Sequence, residues 1–316
     1  MTMLKVVAYL LYKYDNCFAS NCYAFRCGIR VSDAVRRVYR SVRKRKMWAY
    51  KLDIHNYFNS ISIPILMPKL RQILADDEPL YRFFERILTD NRSEYNGSII
   101  VEQRGVMAGI PVASFLANVY LADMDHHFAN QGVVYARYSD DIIIFAEDYD
   151  TLQGHRAYIL DVLRQHKLKV NPTKESLYSP EQPYEFLGFR CEDDCVDIAR
   201  SGINKMKGKI SRKARALLRR KSRKGLSSRV VMTKLIRYFN RKFFDGNLDD
   251  SLTWSRWYFP VINSVEGLRE IDHYLQQYIR FLSTGRHTKA NYRVSYEELK
   301  RLGYKSLVHE FYAHKK

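Results

Sequence analysis

The sequence RYSDDIIIF, residues 137–145, places two adjacent acids, Asp140 and Asp141, directly before a run of large apolar residues. Aspartate is depleted in strands, whereas the apolar run is typical of a buried strand. The pattern therefore predicts a tight turn that presents both acids at the tip of a β-hairpin. Because side chains alternate along a strand, adjacent acids can serve one site only if a turn presents them, and this favours a metal ion as their common partner. Taken alone, an Asp-Asp pair is more often an ordinary polar turn.

The composition of the chain points to a folded protein that binds a polyanion. Its 316 residues can bury a large core and are expected to form two or three subdomains. Its 53 Lys and Arg residues against 34 Asp and Glu residues give a net charge of +19, which makes nucleic acid the expected partner. The basic residues are spread over several segments, and no apolar run reaches the roughly 18 residues of a membrane span, so we expect no membrane partner. No signal peptide is recognisable, so a cytoplasmic location follows by default.

A third acid lies within a predicted strand. The sequence WAYKLDIHNYFNSI, residues 48–61, predicts a strand that contains Asp53, then a turn and a short helix that carries Phe58. An acid in the body of a strand is costly unless it has a partner. The sequence therefore predicts that Asp53 has a partner elsewhere in the chain or in a ligand.

The remaining segments complete an α+β pattern. A glycine-rich loop, GVMAGIPVA at residues 105–113, precedes a helix predicted over Ser114–Phe128, and the hairpin follows. A further helix over Thr151–His166 and several strands come next. This order predicts helices packed on one sheet. Beyond residue 200 the chain becomes basic, helical and aromatic, which predicts a separate domain that faces nucleic acid.

Five segments, taken in order, resemble the consecutive palm motifs of reverse transcriptases: KLDIHNYF, GVMAGIPVASFLANVYL, YSDD, NPTKES and EFLGF. Upstream, CYAFRCGIRVSDAV resembles the finger motif of the bacterial and group II intron-like branch, so the similarity is collinear over residues 14–190. The GVMAG segment and the C-terminal TGRHTKANYRVSYEELKRLGYKSLVHEF are most similar to defence-associated, abortive-infection or "unknown group" enzymes, which are related to group II intron and retron enzymes.

The resemblance implies a right-hand polymerase. Its palm would be an antiparallel sheet backed by helices, with reduced fingers and an α-helical thumb and C-terminal domain. The implied boundaries are 1–50 for the fingers, 51–200 for the catalytic palm and 201–316 for the basic thumb and C-terminal region. The fingers are expected to be reduced because only some two dozen residues precede Arg26, where relatives have an N-terminal extension.

The resemblance also implies a two-metal site for nucleotidyl transfer. Asp53, Asp140 and Asp141 would hold two Mg²⁺ ions about 3.5–4 Å apart, for which Mn²⁺ is a substitute. The backbone carbonyl of Ile54 would add a further oxygen ligand. Lys174 matches the lysine that follows the hairpin in the family and would protonate pyrophosphate as general acid, although a solvated surface lysine explains it nearly as well.

The substrates implied are dNTPs, and several residues match nucleotide contacts of the family. Phe58 stands at the position of the steric gate that excludes a 2′-hydroxyl, and its competing interpretation is a core aromatic. The other implied contacts are Arg26 and Arg30 to the triphosphate, Gly109 and its neighbour Ala108 beside the base pair, and Tyr138 near the primer terminus. Met107, Ala108 and Gly109 stand where many relatives have Pro-Gln-Gly, so the contact of that glutamine is absent.

The function implied is RNA-directed DNA synthesis on an associated noncoding RNA in bacterial antiphage defence. The expected partners are a structured noncoding RNA and an RNA–DNA duplex, with a second copy of the chain or an accessory defence protein as further candidates. Template-independent or protein-primed DNA synthesis is one alternative. A catalytically silent RNA-binding module is another, against which the presence of Asp53, Asp140, Asp141 and Phe58 together speaks.

Overall fold

The computed structural model describes residues 7–90, 92–95, 98–101, 105–106, 110–245 and 253–315. The chain forms two compact units, Met1–Leu187 and Gly188–Lys316. The finer division into fingers, palm and thumb at residues 50 and 200 stays a prediction. Across the part of the chain described, no helix is both long and apolar enough to span a membrane.

The first unit combines helices with an antiparallel sheet, and the predicted α+β class is confirmed. Its helices are α1 (Val31–Val42), α2 (Tyr57–Ser60), α3 (Ile63–Ile73), α4 (Glu78–Thr89), α5 (Ala113–Tyr120), α6 (Ala122–Asn130) and α7 (Tyr149–Gln165). Its strands are β1 (Trp48–Asp53), β2 (Arg92–Tyr95), β3 (Ser98–Val101), β4 (Tyr135–Tyr138), β5 (Asp141–Ala146), β6 (Ser176–Tyr178) and β7 (Tyr184–Phe186). Short 3₁₀ helices cover Leu11–Cys17 and Pro172–Lys174.

A four-stranded sheet of order β4-β5-β1-β6 forms the centre of this unit. Strands β1 and β5 are antiparallel and pair from Trp48 opposite Ala146 to Asp53 opposite Asp141. Strand β5 is buried from Ile142 onward, which explains its unbroken apolar run, because a strand covered on both faces does not alternate. The paired strands therefore carry Asp53 and Asp141 to the same end of the sheet.

Two details differ from the predicted elements. The prediction of a single helix over Ser114–Phe128 is wrong, because the backbone at Leu121 (φ −113°, ψ 13°) separates α5 from α6. This break lets Tyr120 and Leu121 both enter the core, where the hydroxyl of Tyr120 donates to the carbonyl of His166 at 2.7 Å. Asp53 is the last residue of β1 and not an interior one.

In its described residues, the second unit is helical apart from a hairpin of β8 (Phe189–Glu192) and β9 (Cys195–Ile198). Buried Asp272 joins two parts of it by accepting hydrogen bonds from the backbone of Leu307 and Val308 at the start of the last helix. Its helices are α8 (Arg200–Lys224), α9 (Ser228–Phe244), α10 (Trp254–Tyr258), α11 (Glu266–Thr284), α12 (Tyr296–Arg301) and α13 (Leu307–Lys315), with a 3₁₀ helix at Lys289–Arg293. A helical C-terminal region is thus present, as predicted.

Candidate active site

The three acids of the sequence motifs meet at one end of the sheet. Asp53 ends β1 and Asp141 begins β5, and the two are direct cross-strand partners. Asp140 lies in the turn between β4 and β5. The backbone N–H of Ile54 donates to the carbonyl of Asp140 at 3.0 Å, so the end of β1 is fastened to this turn. Paired residues in an antiparallel sheet project to the same face, so Asp53 and Asp141 are neighbours.

The turn itself has a strained backbone. Ser139 has a φ of 60°, in the left-handed region that a residue with a Cβ seldom adopts. The turn consists of Ser139 and Asp140. The residues on either side of it, Tyr138 and Asp141, pair across the hairpin, which confirms the predicted hairpin tip. Tyr138 is half-buried beside the acids, and its implied contact with a primer terminus stays a prediction.

Lysine side chains lie close to two of the three acids. The Nζ atom of Lys174 donates to Oδ2 of Asp53 at 2.6 Å, and the side-chain amide of Asn171 lies 3.4 Å from Oδ1. The Nζ atom of Lys51 lies 3.9 Å from Oδ1 of Asp141. Asp53 is buried, and Lys174 supplies the partner that a buried carboxylate requires. Lys51 and Asn171 were not found by sequence reasoning, because neither stands out from a generic strand or turn.

Burial and mutual repulsion act on the acids of the hairpin. Burial, with a smaller contribution from the charge of Asp53, raises the pKa of Asp140 above its ordinary value. Burial also raises the pKa of Asp141 to about 6, with further contributions from Asp140 and Asp53, although Lys51 opposes the shift. The hydrogen bond to Asp53 raises the pKa of Lys174. The site therefore concentrates negative charge that its lysines only partly balance.

The donor set suits a divalent cation in its chemistry. Carboxylate oxygens are the ligands that Mg²⁺ prefers, and few of them are needed because the ion keeps several waters. Among the described residues, no three His, Cys, Asp or Glu side chains are gathered into a ready-made metal cluster. A cation bound by Asp53 would replace the contact that Lys174 now makes. The roles of Asp53, Ile54, Asp140 and Asp141 as metal ligands stay predictions.

Phe58 lies on α2, immediately after the turn that follows Asp53. Its half-buried ring is 6.1 Å from the ring of Phe25, and its carbonyl accepts from the N–H of Val106 at 3.0 Å. Gly105 allows this approach, because its φ is +97° and a Cβ there would lie 2.9 Å from Cα of Asn59. The hydrogen bond from Val106 thus helps to fix the helix that carries Phe58.

The implied triphosphate contacts have mixed surroundings. The guanidinium of Arg26 is fully engaged: it pairs with the carboxylate of Asp15 at 3.0 Å and donates to the carbonyls of Ala19 and Cys22. Arg26 could reach a phosphate only by giving up these bonds. Arg30 is exposed at the N-cap of α1. Ala108 and Gly109, together with Met107, lie outside the described residues.

A fully buried ion pair lies beneath the turn and was missed by sequence reasoning. Arg137 and Asp125 have no exposed side-chain surface, and Nε of Arg137 donates to Oδ1 of Asp125 at 2.9 Å. The same guanidinium donates to the carbonyl of Ser139 at 3.3 Å and to the carbonyl of Asn118 at 3.3 Å. Burial would lower the pKa of Arg137, but Asp125 outweighs it and the pKa lies well above its ordinary value. The pair thus links α6 to the strained residue of the turn.

Comparison with known proteins relates most of the first unit to a known family. The family model described as reverse transcriptase (RNA-dependent DNA polymerase) matches residues 2–191. The retron Ec86 reverse transcriptase of Escherichia coli is 23% identical over 106 residues, which are 32% of this chain and 33% of that protein. Over this match the chain therefore spans about a third of the relative's length.

A solved structure supports the same fold. Apo telomerase of Candida tropicalis superposes with a TM-score of 0.51 at 12% identity, over 99% of this chain and 53% of that one. Telomerase of Candida albicans, in complex with a fragment of telomeric RNA, gives a TM-score of 0.46 at 11% identity, over 99% of this chain and 56% of that one. The predicted palm fold with its helical C-terminal region is confirmed by the family match and the first of these structures.

Proposed function

The chain belongs to the reverse transcriptase family, and from that premise we propose that it is an RNA-directed DNA polymerase that copies an associated noncoding RNA. The observation that carries the proposal is the register of β1 and β5, which sets Asp53 beside Asp141 with Asp140 in the adjoining turn. A bacterial antiphage role is the further proposal, and it rests on the sequence resemblance of the GVMAG and C-terminal segments.

The residues of the site divide the work of nucleotidyl transfer. Asp53, Asp140 and Asp141 would hold two Mg²⁺ ions, and the chemistry supplied by those ions when bound is activation of the 3′-hydroxyl and stabilisation of pyrophosphate. Lys174 would give a proton to the departing pyrophosphate. Its bond to Asp53 raises its pKa and makes it a weaker acid, so release of that bond would prepare Lys174 for proton transfer.

The proposal is tested by identifying template and product together. The chain is purified with its cellular nucleic acid and supplied with dNTPs and Mg²⁺, and both bound RNA and new DNA are sequenced. DNA complementary to a bound RNA is the expected result. Homopolymer or random DNA would instead support template-independent or protein-primed synthesis, and no product with intact RNA binding would support a catalytically silent module.

Phe58 is expected to select against ribonucleotides. Replacing Phe58 with Val should lower the preference for dNTPs over rNTPs roughly 10- to 100-fold, because a pocket wall distinguishes small groups by about 1–3 kcal/mol. The measurement is the ratio of kcat/KM for dGTP and GTP. Tyr57→Phe is the control, since Tyr57 adjoins Phe58 but its hydroxyl donates to the carbonyl of Ala117. A Phe58→Val variant that loses stability but keeps its selectivity would identify Phe58 as a core aromatic.

Helix α8 is expected to bind RNA through phosphates. It has no acidic residue in its 25 residues, and its exposed cations include Lys205, Lys209 and Arg212 on one face. Changing these three to Gln should weaken RNA binding and reduce the slope of log affinity against log salt by about 2, since each phosphate contact contributes about 0.7–0.9. Lys207→Gln is the control, because Lys207 pairs with Glu270 within the protein. An unchanged slope in the triple variant would remove α8 from the RNA surface.

A further inference from the structure

The second unit contains a cleft between α11 and the 3₁₀ helix Lys289–Arg293, with a volume of about 290 Å³. We propose that this cleft binds one unpaired nucleotide of the RNA partner, with the base stacked on Tyr292 and a flanking phosphate between Arg280 and Lys289. The lining includes Gln277, Arg280, His287, Lys289, Asn291 and Tyr292. The partner class rests on the proposed function, but the cleft shares no residue with the carboxylate site and can be tested without DNA synthesis.

Tyr292 is the stacking surface. Its side chain is 69% exposed, which makes it one of the most exposed aromatic residues of the chain. The guanidinium carbon of Arg280 lies 5.7 Å from the centre of its ring, so a cation already stands beside the aromatic face. An exposed aromatic ring next to cations is the arrangement by which proteins hold bases of single-stranded nucleic acid.

The cations of the cleft are placed to receive a phosphate. Nε of Arg280 donates to the carbonyl of Val294 at 3.0 Å, which orients the guanidinium. Its Nη atoms make no hydrogen bond with another described residue, and a guanidinium offers paired donors to phosphate oxygens. Lys289 is exposed at the opposite wall. None of the residues that line the cleft is acidic.

The cleft is preformed by contacts behind its lining. The ring of His287 stacks on buried Phe281, with centroids 4.7 Å apart and an interplanar angle of 23°. The buried side chain of Asn291 accepts from the hydroxyl of Thr284 at 2.6 Å and donates to the carbonyl of Arg286 at 2.8 Å. These bonds hold the 3₁₀ helix against the end of α11, so little ordering is required on binding.

Size and polarity favour one nucleotide over other ligands. Small-molecule pockets span about 300–1,000 Å³, so this cleft lies at the lower limit and fits a single residue of a strand. Stacking on Tyr292 requires a base that is not paired, which excludes the interior of a duplex. A lipid surface would require a cluster of apolar side chains, whereas Tyr292 stands among cations and amides.

The test measures binding of the full chain to three probes: a single-stranded oligouridylate, an abasic ribose-phosphate oligomer of equal length, and a blunt RNA duplex. Tyr292→Ala should weaken oligouridylate binding roughly 5- to 100-fold and leave the other two unchanged. Tyr292→Phe should retain binding. Tyr312→Ala is the matched control, because Tyr312 is also exposed in this unit. Lys289→Gln should weaken both single-stranded probes alike and reduce their salt slope by about 0.7.

A photocrosslink gives an independent readout. Oligouridylate that contains 4-thiouridine should crosslink to the peptide of Tyr292 in the unmodified chain, and this crosslink should be absent from Tyr292→Ala. Three results would overturn the proposal. Tyr292→Ala could weaken binding of the abasic and uridylate probes equally, or leave uridylate binding unchanged. It could also weaken binding to anionic phospholipid vesicles more than it weakens uridylate binding. A chain that shows these effects but makes no DNA would contradict the proposed function and leave the cleft assignment intact.

Discussion

Replacing Asp140 with Asn is expected to reduce DNA synthesis by at least about 10³-fold, which corresponds to about 4 kcal/mol of lost transition-state stabilisation. Asn has nearly the same shape as Asp but carries no charge, so the change replaces a carboxylate ligand with a much weaker neutral one and disturbs the turn little. The backbone carbonyl of Asp140 accepts the hydrogen bond that fastens the turn to Ile54, and the substitution preserves this carbonyl. RNA affinity should change by less than about twofold, because the proposed RNA surfaces lie in the second unit.

The experiment separates chemistry from folding by three measurements on one preparation. Synthesis is measured on a primed RNA template, RNA binding by filter retention, and Mn²⁺ binding by electron paramagnetic resonance. Asp150→Asn is the matched control, because Asp150 is an exposed acid in the first turn of α7. Undiminished synthesis in Asp140→Asn, or equal Mn²⁺ binding in both variants, would contradict the assignment of Asp140 as a metal ligand.

The same design distinguishes Asp141 from Asp140. We expect Asp141 to bind the ions more weakly than Asp140, because Asp141 already faces Lys51. We expect Asp141→Asn to raise the Mg²⁺ concentration needed for half-maximal synthesis, and high Mg²⁺ to restore part of the activity. Asp140→Asn should not recover in this way. Identical Mg²⁺ dependence for the two variants would show that the acids do not have different roles.

The hairpin and its acids could be predicted because their signals are local. The apolar run of β5 and the polar turn before it follow from neighbouring residues, and the order of the motifs relates Asp53 to the hairpin. The break at Leu121 has no comparable signal, because the sequence around it keeps helical periodicity and the burial of both Tyr120 and Leu121 depends on distant parts of the chain. Tertiary packing there outweighs local pattern.

The contacts within the site depend on distant parts of the chain. Lys174 meets Asp53 across 121 positions, and the distance along the sequence does not reveal whether a lysine faces an acid or water. Arg26 was predicted to bind phosphate, yet its guanidinium is occupied by Asp15 and backbone carbonyls. The burial of Asp125 could have been predicted in part, because the sequence carries a trace of it, an acid on the apolar side of its helix beside Met124 and Phe128. That trace identifies a buried acid but not its partner.

Breaking the ion pair of Asp125 and Arg137 is expected to have the largest effect on stability. Asp125→Asn leaves the guanidinium of Arg137 buried without a counter-charge, for which the typical loss is about 3–5 kcal/mol. That is a large share of the roughly 5–15 kcal/mol by which domains are stable. Arg164 and Asp161 provide the matched control, because this pair is exposed on α7 and Asp161→Asn should change stability by less than about 0.5 kcal/mol.

Hydrogen exchange of the amides in β4 and β5 is the measurement, since it reports the stability of the first unit by itself. A double-mutant cycle with Arg137→Met should show a coupling of about 2 kcal/mol, because removal of both charges leaves neither unpaired. The double variant should nevertheless synthesise DNA poorly at temperatures where it is folded, since the carbonyl of Ser139 has lost the donor that holds the turn. Full synthesis in a folded double variant would show that Arg137 stabilises the sheet without positioning Asp140. If Asp161→Asn lost as much hydrogen-exchange protection as Asp125→Asn, the buried pair would contribute no more to stability than the exposed pair. The two readouts thus separate the stability that the pair provides from the geometry that it imposes on the turn that carries Asp140.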